Sequence, residues 1–338
     1  MIHELKEILK QSVINQQKGL KNVLASVVHL NGSSYRKPGV RMLISEDLNY
    51  VGAVSGGCVE KEIIQRSTSV FLDGKSKIIT YDGRYRLGCE GILYILIEPF
   101  FVTDNFLASY SKAILNRETL KIESWYVLQD ESFGTFGSQI TFNNKQQFTF
   151  SNKFEPQKNT ISFTQIVQPA FRLIIIGGEH DAVKLCKISA NLGWQVDVIT
   201  AAKDSKQLHD FPGATTVVGE SPETIQFSNI DKHTAIVIMN HSYVQDLKYV
   251  IQLAKHQAKY IGILGAPKRR ERLFSELFDY VPDISDAFLD TIYTPAGLHI
   301  GAQTPEEIAV SILAEILSVV RKKEPFSLRN LNGKIHSS

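Results

Sequence analysis

Three short stretches of this sequence combine glycine with side chains able to ligate, to hold an anion or to carry a thiolate. The sharpest is Ser55-Gly56-Gly57-Cys58-Val59-Glu60, which lies between a strand-like run and a helical pattern. Two glycines permit a tight turn whose backbone amides face a ligand. A cysteine in the first turn of the following helix then meets the positive end of the helix dipole, which favours the thiolate. Such a thiolate ligates a soft metal, or accepts and passes sulfur. The alternative is a small buried cysteine after a turn. A second cysteine, Cys89, stands in the glycine-flanked loop Gly88-Cys89-Glu90-Gly91, just ahead of an apolar strand. Cys186 falls inside a helical pattern and reads as core.

The other candidates concern anions. Gly32 to Gly39 runs through small residues into Arg36 and Lys37, with Arg41 two residues beyond. Close backbone approach and nearby cations suit a phosphate, whereas a solvated turn with scattered charges has the same composition. Ile174-Ile175-Ile176-Gly177-Gly178-Glu179 ends a strand and opens a helix, where a dinucleotide-binding fold has its glycine-rich turn. Glu179, however, occupies the position where backbone must approach a pyrophosphate, and the next strand ends at Thr200 rather than at a ribose-binding acid. Two more loops follow strand-like runs. One is Met239-Asn240-His241, with Asp246 in the next helix; the other is Gly265-Ala266-Pro267-Lys268-Arg269-Arg270. Open α/β sheets bind ligands at such strand ends, although a lone histidine or a basic helix face is also ordinary surface.

These residues need positioning elements, and the patterns supply them. Residues 2–18, with Ile2, Leu5, Ile8, Leu9 and Val13, have helical spacing. Strand-like runs follow at Asn22–Leu30, Arg41–Ile44, Tyr50–Val54 and Ile92–Ile97, and Cys58–Leu72 reads as a helix. From 117 to 165, alternating segments are punctuated by Gly134, Gly137 and Asn143-Asn144, which is hairpin chemistry; 151–160 is a polar loop or a linker. After Pro169, apolar runs at Phe171–Ile176, Trp194–Ile199, Thr234–Ile238 and Tyr260–Leu264 alternate with helical patterns, the mark of a parallel sheet wrapped by helices. Thr304-Pro305-Glu306-Glu307 is a capping box that opens a final helix with Ile308, Ile312, Ile316 and Val320 on one face.

The fold expected is therefore α/β: an N-terminal α+β domain with a β-rich extension over 1–168, a Rossmann-like parallel-sheet domain over 169–324, and a tail over 325–338. Bulk properties exclude more than they assign. With 43% apolar and 21% charged residues and a net charge of +2, the chain gives no electrostatic reason to expect nucleic acid or a membrane surface. It holds no apolar run of membrane-spanning length, and three cysteines without a framework spacing suit a reducing, cytoplasmic compartment.

In their order along the chain, GSSYRKPGVRM (32–42), SGGCVE (55–60), the glycine turn at 177, MNHSYVQD (239–246), YIGILGAPKRRERL (260–273) and TPAGLHIGAQTPEEIAVSILAEI (294–316) resemble the xanthine dehydrogenase accessory family, XdhC/CoxI. The resemblance implies an accessory protein that carries molybdenum cofactor (molybdopterin) rather than using it catalytically. Such a protein assists the cofactor's sulfuration with a cysteine desulfurase and its insertion into an apo-xanthine-dehydrogenase-type enzyme. Carried onto this chain, Cys58 is the candidate for contact with the cofactor's metal–sulfur end, and Arg36, Lys37 and Arg41 for its phosphate. Ser55, Gly56, Gly57, Cys89, Gly177, Gly178, His241, Lys268 and Arg269 complete the set of binding candidates. In the family's usual pattern Glu90 and Glu179 replace glycines, Thr200 an acid and His299 an aspartate. The expected mechanism encloses the cofactor in a cleft between the domains, and a homodimer suits such a carrier. The fold alone gives a competing expectation, an NAD(P)-dependent oxidoreductase, against which Glu179 and Thr200 speak. A regulatory scaffold that has lost its ligand is a third.

Overall fold

A computed structural model describes residues 2–34, 37–55, 58–83, 91–152, 154–156, 159–204 and 206–331, and for Cys58 the backbone only. The chain divides into two compact units, Met1–Pro169 and Ala170–Ser338. The polar segment after Phe150 therefore lies within the first unit. Within it Phe154 is buried and packs 5.4 Å from the Trp125 ring.

The N-terminal unit is built on a six-stranded antiparallel sheet. Its strands are β1 (Asn22–Asn31), β2 (Arg41–Ser45), β3 (Tyr50–Gly52), β4 (Ser76–Asp82), β5 (Ile92–Pro99) and β7 (Ser132–Gly134), in the order β3-β2-β1-β5-β4-β7. One face carries Val23, Ala25, Val27, Met42, Ile95 and Ile97. It buries them with Val59 and Ile63 of α2 (Cys58–Asp73). The side chains that alternate with these, Val28, Ile78 and Leu96, face Tyr126 and Phe136 of the β-rich region. That region is a second, four-stranded sheet, order β10-β6-β8-β9, made of β6 (Leu120–Tyr126), β8 (Gly137–Thr141), β9 (Gln147–Thr149) and β10 (Ile161–Val167). Two further helices complete the unit. In α1 (Ile2–Gln17) the buried residues include Leu5, Ile8 and Leu9, and Asn15 donates to Asn22 of β1 at 2.7 Å. In α3 (Asp104–Leu115) Phe106, Tyr110 and Ala113 are buried at helical spacing, and Thr103 caps the first turn.

The C-terminal unit is a six-stranded parallel sheet. β11 (Arg172–Ile176), β12 (Gln195–Thr200), β13 (Thr216–Gly219), β14 (Thr234–Ile238), β15 (Tyr260–Ile263) and β16 (Ile292–Tyr293) lie in the order β13-β12-β11-β14-β15-β16. The sequence-adjacent strands thus run outward in both directions from β11 and β14, the topology of a Rossmann sheet. Helices α4 (His180–Asn191) and α8 (Pro305–Arg321) cover one face through Leu185, Cys186, Ile312 and Ile316. The other face packs α5 (Tyr243–Leu253), α6 (Lys268–Tyr280) and α7 (Asp286–Leu289) through Leu247, Val250, Leu273, Leu277 and Phe288. Cys186 is fully buried, and burial pushes its thiol up to about 11, so it is an inert core residue. The last helix starts as its residues dictate: Thr304 accepts from the Glu307 amide while Glu307 reaches back to the Thr304 amide. Among the described residues no helix is long and apolar enough to cross a membrane.

Candidate functional site

In the N-terminal unit the turn before α2 is organised by Glu60, a residue to which no sequence pattern gives a role. Glu60, itself buried, bends back along the helix axis so that Oε1 accepts from the amides of Val54 (3.1 Å) and Ser55 (2.8 Å). A carboxylate that ties down two amides ahead of a helix fixes the path of the chain into that helix. Ser55 is thereby tied to the first turn of α2, whose first residue is Cys58. Gly56, Gly57, Arg36 and Cys89 lie outside the described residues, as does the Cys58 side chain.

The basic candidates of this unit separate. Lys37 is exposed. Arg41 is buried, and its guanidinium donates to the Gly39 carbonyl at 2.9 Å and to the Gln165 side chain on β10. Burial pulls Arg41 down to about 10, while Glu98 and Glu4 push the other way. The charge of Arg41 is therefore used within the unit's interior. Its counterpart Glu98 is fully buried on β5, where one oxygen accepts the Ser138 amide (2.8 Å) and the other its hydroxyl (2.6 Å).

The C-terminal unit gathers its candidates at the carboxyl edge of the parallel sheet, around the point where strand order reverses between β11 and β14. Gly177 has φ +153°, and a side-chain carbon there would sit 2.9 Å from the Met239 carbonyl oxygen, so only glycine lets the two strand ends lie this close. A carbon on Gly178 would meet Asp204 Oδ2 at 3.3 Å and Thr200 Cγ2 at 3.5 Å. The strand lacks an acid at its last residue, but the following turn returns Asp204 to the glycine loop. Glu179 is the N-cap of α4, exposed and without a capping hydrogen bond. It keeps a carboxylate at the helix end where a phosphate would bind.

On the other side of the switch point, Asn240, His241 and Asp246 come together with Arg269. Asp246, in the first turn of α5, is only 2% exposed. Burial pushes its carboxyl up to about 6; Asn240, Arg269 and His241 offset only part of that. Arg269 lies folded over Gly265, donates Nη1 to the Leu264 carbonyl at 3.3 Å, and so stops 3.6 Å from Asp246 Oδ2. Its guanidinium also faces the Tyr243 ring at 5.5 Å. Lys268 is exposed one residue earlier.

The observation that marks this edge as a site is what its polar groups lack. Thr200 Oγ1, Asn240 Nδ2 and both Asp246 oxygens are buried with no hydrogen-bond partner among the described residues. Each such group costs about 1–3 kcal/mol unless something else satisfies it. These three side chains leave polar atoms open along the carboxyl edge of one sheet, the feature a polar ligand would use. Among the described residues no group of three His, Cys, Asp or Glu converges as a metal site.

Known proteins match the chain along nearly its whole length. The family model described as the XdhC and CoxI family matches residues 16–82, and that described as the XdhC Rossmann domain matches 173–316. A Bacillus subtilis protein named as a probable xanthine dehydrogenase subunit is 32% identical over 321 residues, which is 89% of this chain and 93% of that protein. The molybdenum cofactor insertion chaperone PaoD of Escherichia coli is 25% identical over 321 residues, 92% of this chain and 87% of that protein. A crystal structure described as a xanthine dehydrogenase from Bacillus halodurans superposes with a TM-score of 0.76 at 25% identity, covering 94% of this chain and 96% of that one. The chain thus belongs to the XdhC/CoxI family.

Proposed function

We propose that this protein is a maturation factor for a xanthine-dehydrogenase-type molybdoenzyme: it binds molybdenum cofactor, shields it while a cysteine desulfurase installs the terminal sulfur, and delivers it to the apo-enzyme in the cytoplasm. The observation that carries this reading is the full-length similarity to a relative named as a molybdenum cofactor insertion chaperone. The cofactor is cargo here, and no chemistry of its metal is needed from the chain. Molybdopterin is a polar heterocycle with a phosphate, and the unpartnered donors and acceptors at the carboxyl edge of the C-terminal unit fit a ligand of that polarity. Cys58, at the start of α2, is the residue proposed to contact the sulfur-bearing end, with Glu60 holding the turn before it. Lys37 and Lys268, both exposed, are proposed together with Arg36 as cations that meet the phosphate. A homodimer suits this role.

The test is retention and transfer. Protein purified from cells that make the cofactor should release molybdopterin on denaturation, and Cys58→Ala should retain less. A chain that neither retains nor takes up molybdopterin is not this carrier, and undiminished uptake by Cys58→Ala removes that residue from its role.

One observation favours a second reading, an NAD(P)-dependent oxidoreductase. Asp204 stands beside Gly178, where a ribose-binding acid works in dinucleotide folds. Glu179 opposes it by crowding the phosphate position. Titration with NADH and NADPH separates the two readings, because tight binding requires the pyrophosphate to be accepted at that turn.

A further inference from the structure

The carboxylate of Asp246 is faced by Arg269 and by the Asn240 amide, and neither closes a full hydrogen bond to it. Arg269 brings a positive charge to 3.6 Å of Oδ2, but its own bond to the Leu264 carbonyl and its seat over Gly265 keep it from closing the last few tenths of an ångström. Both carboxylate oxygens therefore keep unused lone pairs in a place that is 2% exposed. The neighbouring Asn240 amide faces this carboxylate and offsets part of its burial, but its N–H stops short of a hydrogen bond. Asn240 is half-buried and His241 exposed, so solvent lies one side chain away. The vacant pattern is two adjacent acceptors beside one donor.

We propose that Asp246 and Asn240 receive the 2-amino-4-oxopyrimidine edge of a heterocycle, the edge that pterins and guanine share. That edge presents a ring N–H and an adjacent amino group, which a carboxylate accepts as a pair, next to a carbonyl that takes the amide N–H. Adenine has no ring N–H beside its amino group and would leave one carboxylate oxygen unpaired. A 2-oxo analogue would turn a carbonyl oxygen toward the carboxylate and be repelled. A free phosphate or carboxylate finds an anion at Asp246, so the site selects for N–H donors. Arg269 turns outward to admit the ring, and its planar, half-exposed guanidinium then has a flat surface to stack on. The biological source of the edge rests on the carrier reading above, in which the ligand is the pterin of molybdenum cofactor.

Titrating the full chain with pterin, followed by quenching of the pterin's own fluorescence, tests this, with lumazine (the 2-oxo analogue), guanosine and adenosine as competitors. Pterin is expected to bind, lumazine and adenosine at least tenfold more weakly. Asp246→Asn should lose at least tenfold in pterin affinity with an unchanged melting temperature. Guanosine outcompeting pterin would support the edge recognition and assign its source to a guanine nucleotide. Equal affinities for pterin and lumazine, no binding of pterin or guanosine, or undiminished pterin binding by folded Asp246→Asn would each overturn the proposal. The lumazine comparison uses the parent protein, so it decides the matter even if the variant does not fold. Equal recovery of molybdopterin from parent and Asp246→Asn would overturn this inference alone. Tight guanosine binding by a chain that never holds molybdopterin would instead sink the carrier reading and keep the edge recognition.

Discussion

Each unit of this protein buries a carboxylate near an arginine, Glu98 near Arg41 in the first and Asp246 near Arg269 in the second, and these two pairs are finished differently. In the N-terminal unit Glu98 has both oxygens occupied by Ser138, whose hydroxyl in turn meets Ser124 at 2.8 Å, and Arg41 is bonded to Gly39 and Gln165. In the C-terminal unit Asp246 has its charge balanced by Arg269 and its oxygens left open. The Glu98 network ties two sheets together and leaves neither carboxylate oxygen over for a ligand, although Arg41 Nε stays without a partner among the described residues. An open one costs stability in the empty protein and recovers it when a ligand supplies the missing donors. The difference teaches which buried charge to read as architecture and which as a binding group.

The comparison breaks most easily at Glu98. Glu98→Ala strands the buried Ser138 amide, takes one of two partners from the Ser138 hydroxyl and leaves Arg41 with the more weakly acting Glu4, which should cost about 3 kcal/mol. The chain has two tryptophans, and Trp125 lies in the N-terminal unit, so denaturant unfolding in a Trp194→Phe background reports that unit alone. A loss below about 1 kcal/mol would mean the network does not hold the sheets.

The same residue gives a pH dependence with a definite sign. Burial raises Glu98 from 4.5 in the unfolded chain to about 7 in the folded one. The folded state then holds a proton that the unfolded state has released, so stability is fully present below about pH 4.5 and falls as pH rises toward 7. The loss approaches roughly 3 kcal/mol if no other group compensates. Glu98→Gln, which keeps the shape and cannot ionise, should flatten that slope, and parent and variant should converge at low pH. An unchanged slope would show that Glu98 is not the group responsible.

At Asp246 the expectation reverses. Asp246→Asn removes a charge that no donor satisfies, so stability should change by less than about 1 kcal/mol while affinity for the N–H-bearing heterocycle falls at least about tenfold. Because the carboxylate must be ionised to accept, binding should weaken as pH drops below about 6, where burial has moved this group. Binding that stays constant from pH 5 to pH 8 would contradict an ionised acceptor.

How far the sequence reveals this contrast depends on the separation of the partners. The parallel strands at 172–176 and 234–238 are legible because uninterrupted apolar runs between glycine and polar turns have one reading. The capping box of α8 is legible because its four residues are contiguous. Glu98 looks like the polar end of a strand until Ser138, 40 residues away, is brought over it by the second sheet. Arg41 looks like a phosphate ligand until Gln165, 124 residues on, reaches it. Asp204 is missed for a different reason. The strand ends without an acid, and only the turn closed by the Asp204 amide on the Ala201 carbonyl at 2.8 Å returns a carboxylate to Gly178. Local pattern fixes elements, whereas the state of a buried charge is set by contacts that no local window contains.

Glu60 offers the smallest and most specific test, because it combines the two modes. One of its oxygens closes the chain ahead of α2 by accepting from Val54 and Ser55, as Glu98 closes its sheets; the other is buried without a partner among the described residues, as in Asp246. Glu60→Gln keeps an oxygen for those amides but removes the charge that strengthens both bonds, so the loss should be about 1 kcal/mol, less than for Glu98→Ala. The loosened turn should also change how Cys58 meets solvent. With Cys89→Ser in the background and Cys186 buried, alkylation by iodoacetamide reports Cys58, and its rate should differ severalfold between parent and Glu60→Gln. Asp246→Asn, which acts in the other unit, should leave that rate unchanged. If Glu60→Gln leaves it unchanged as well, the carboxylate anchors the helix without positioning the thiol, and Glu60 belongs with Glu98 as architecture.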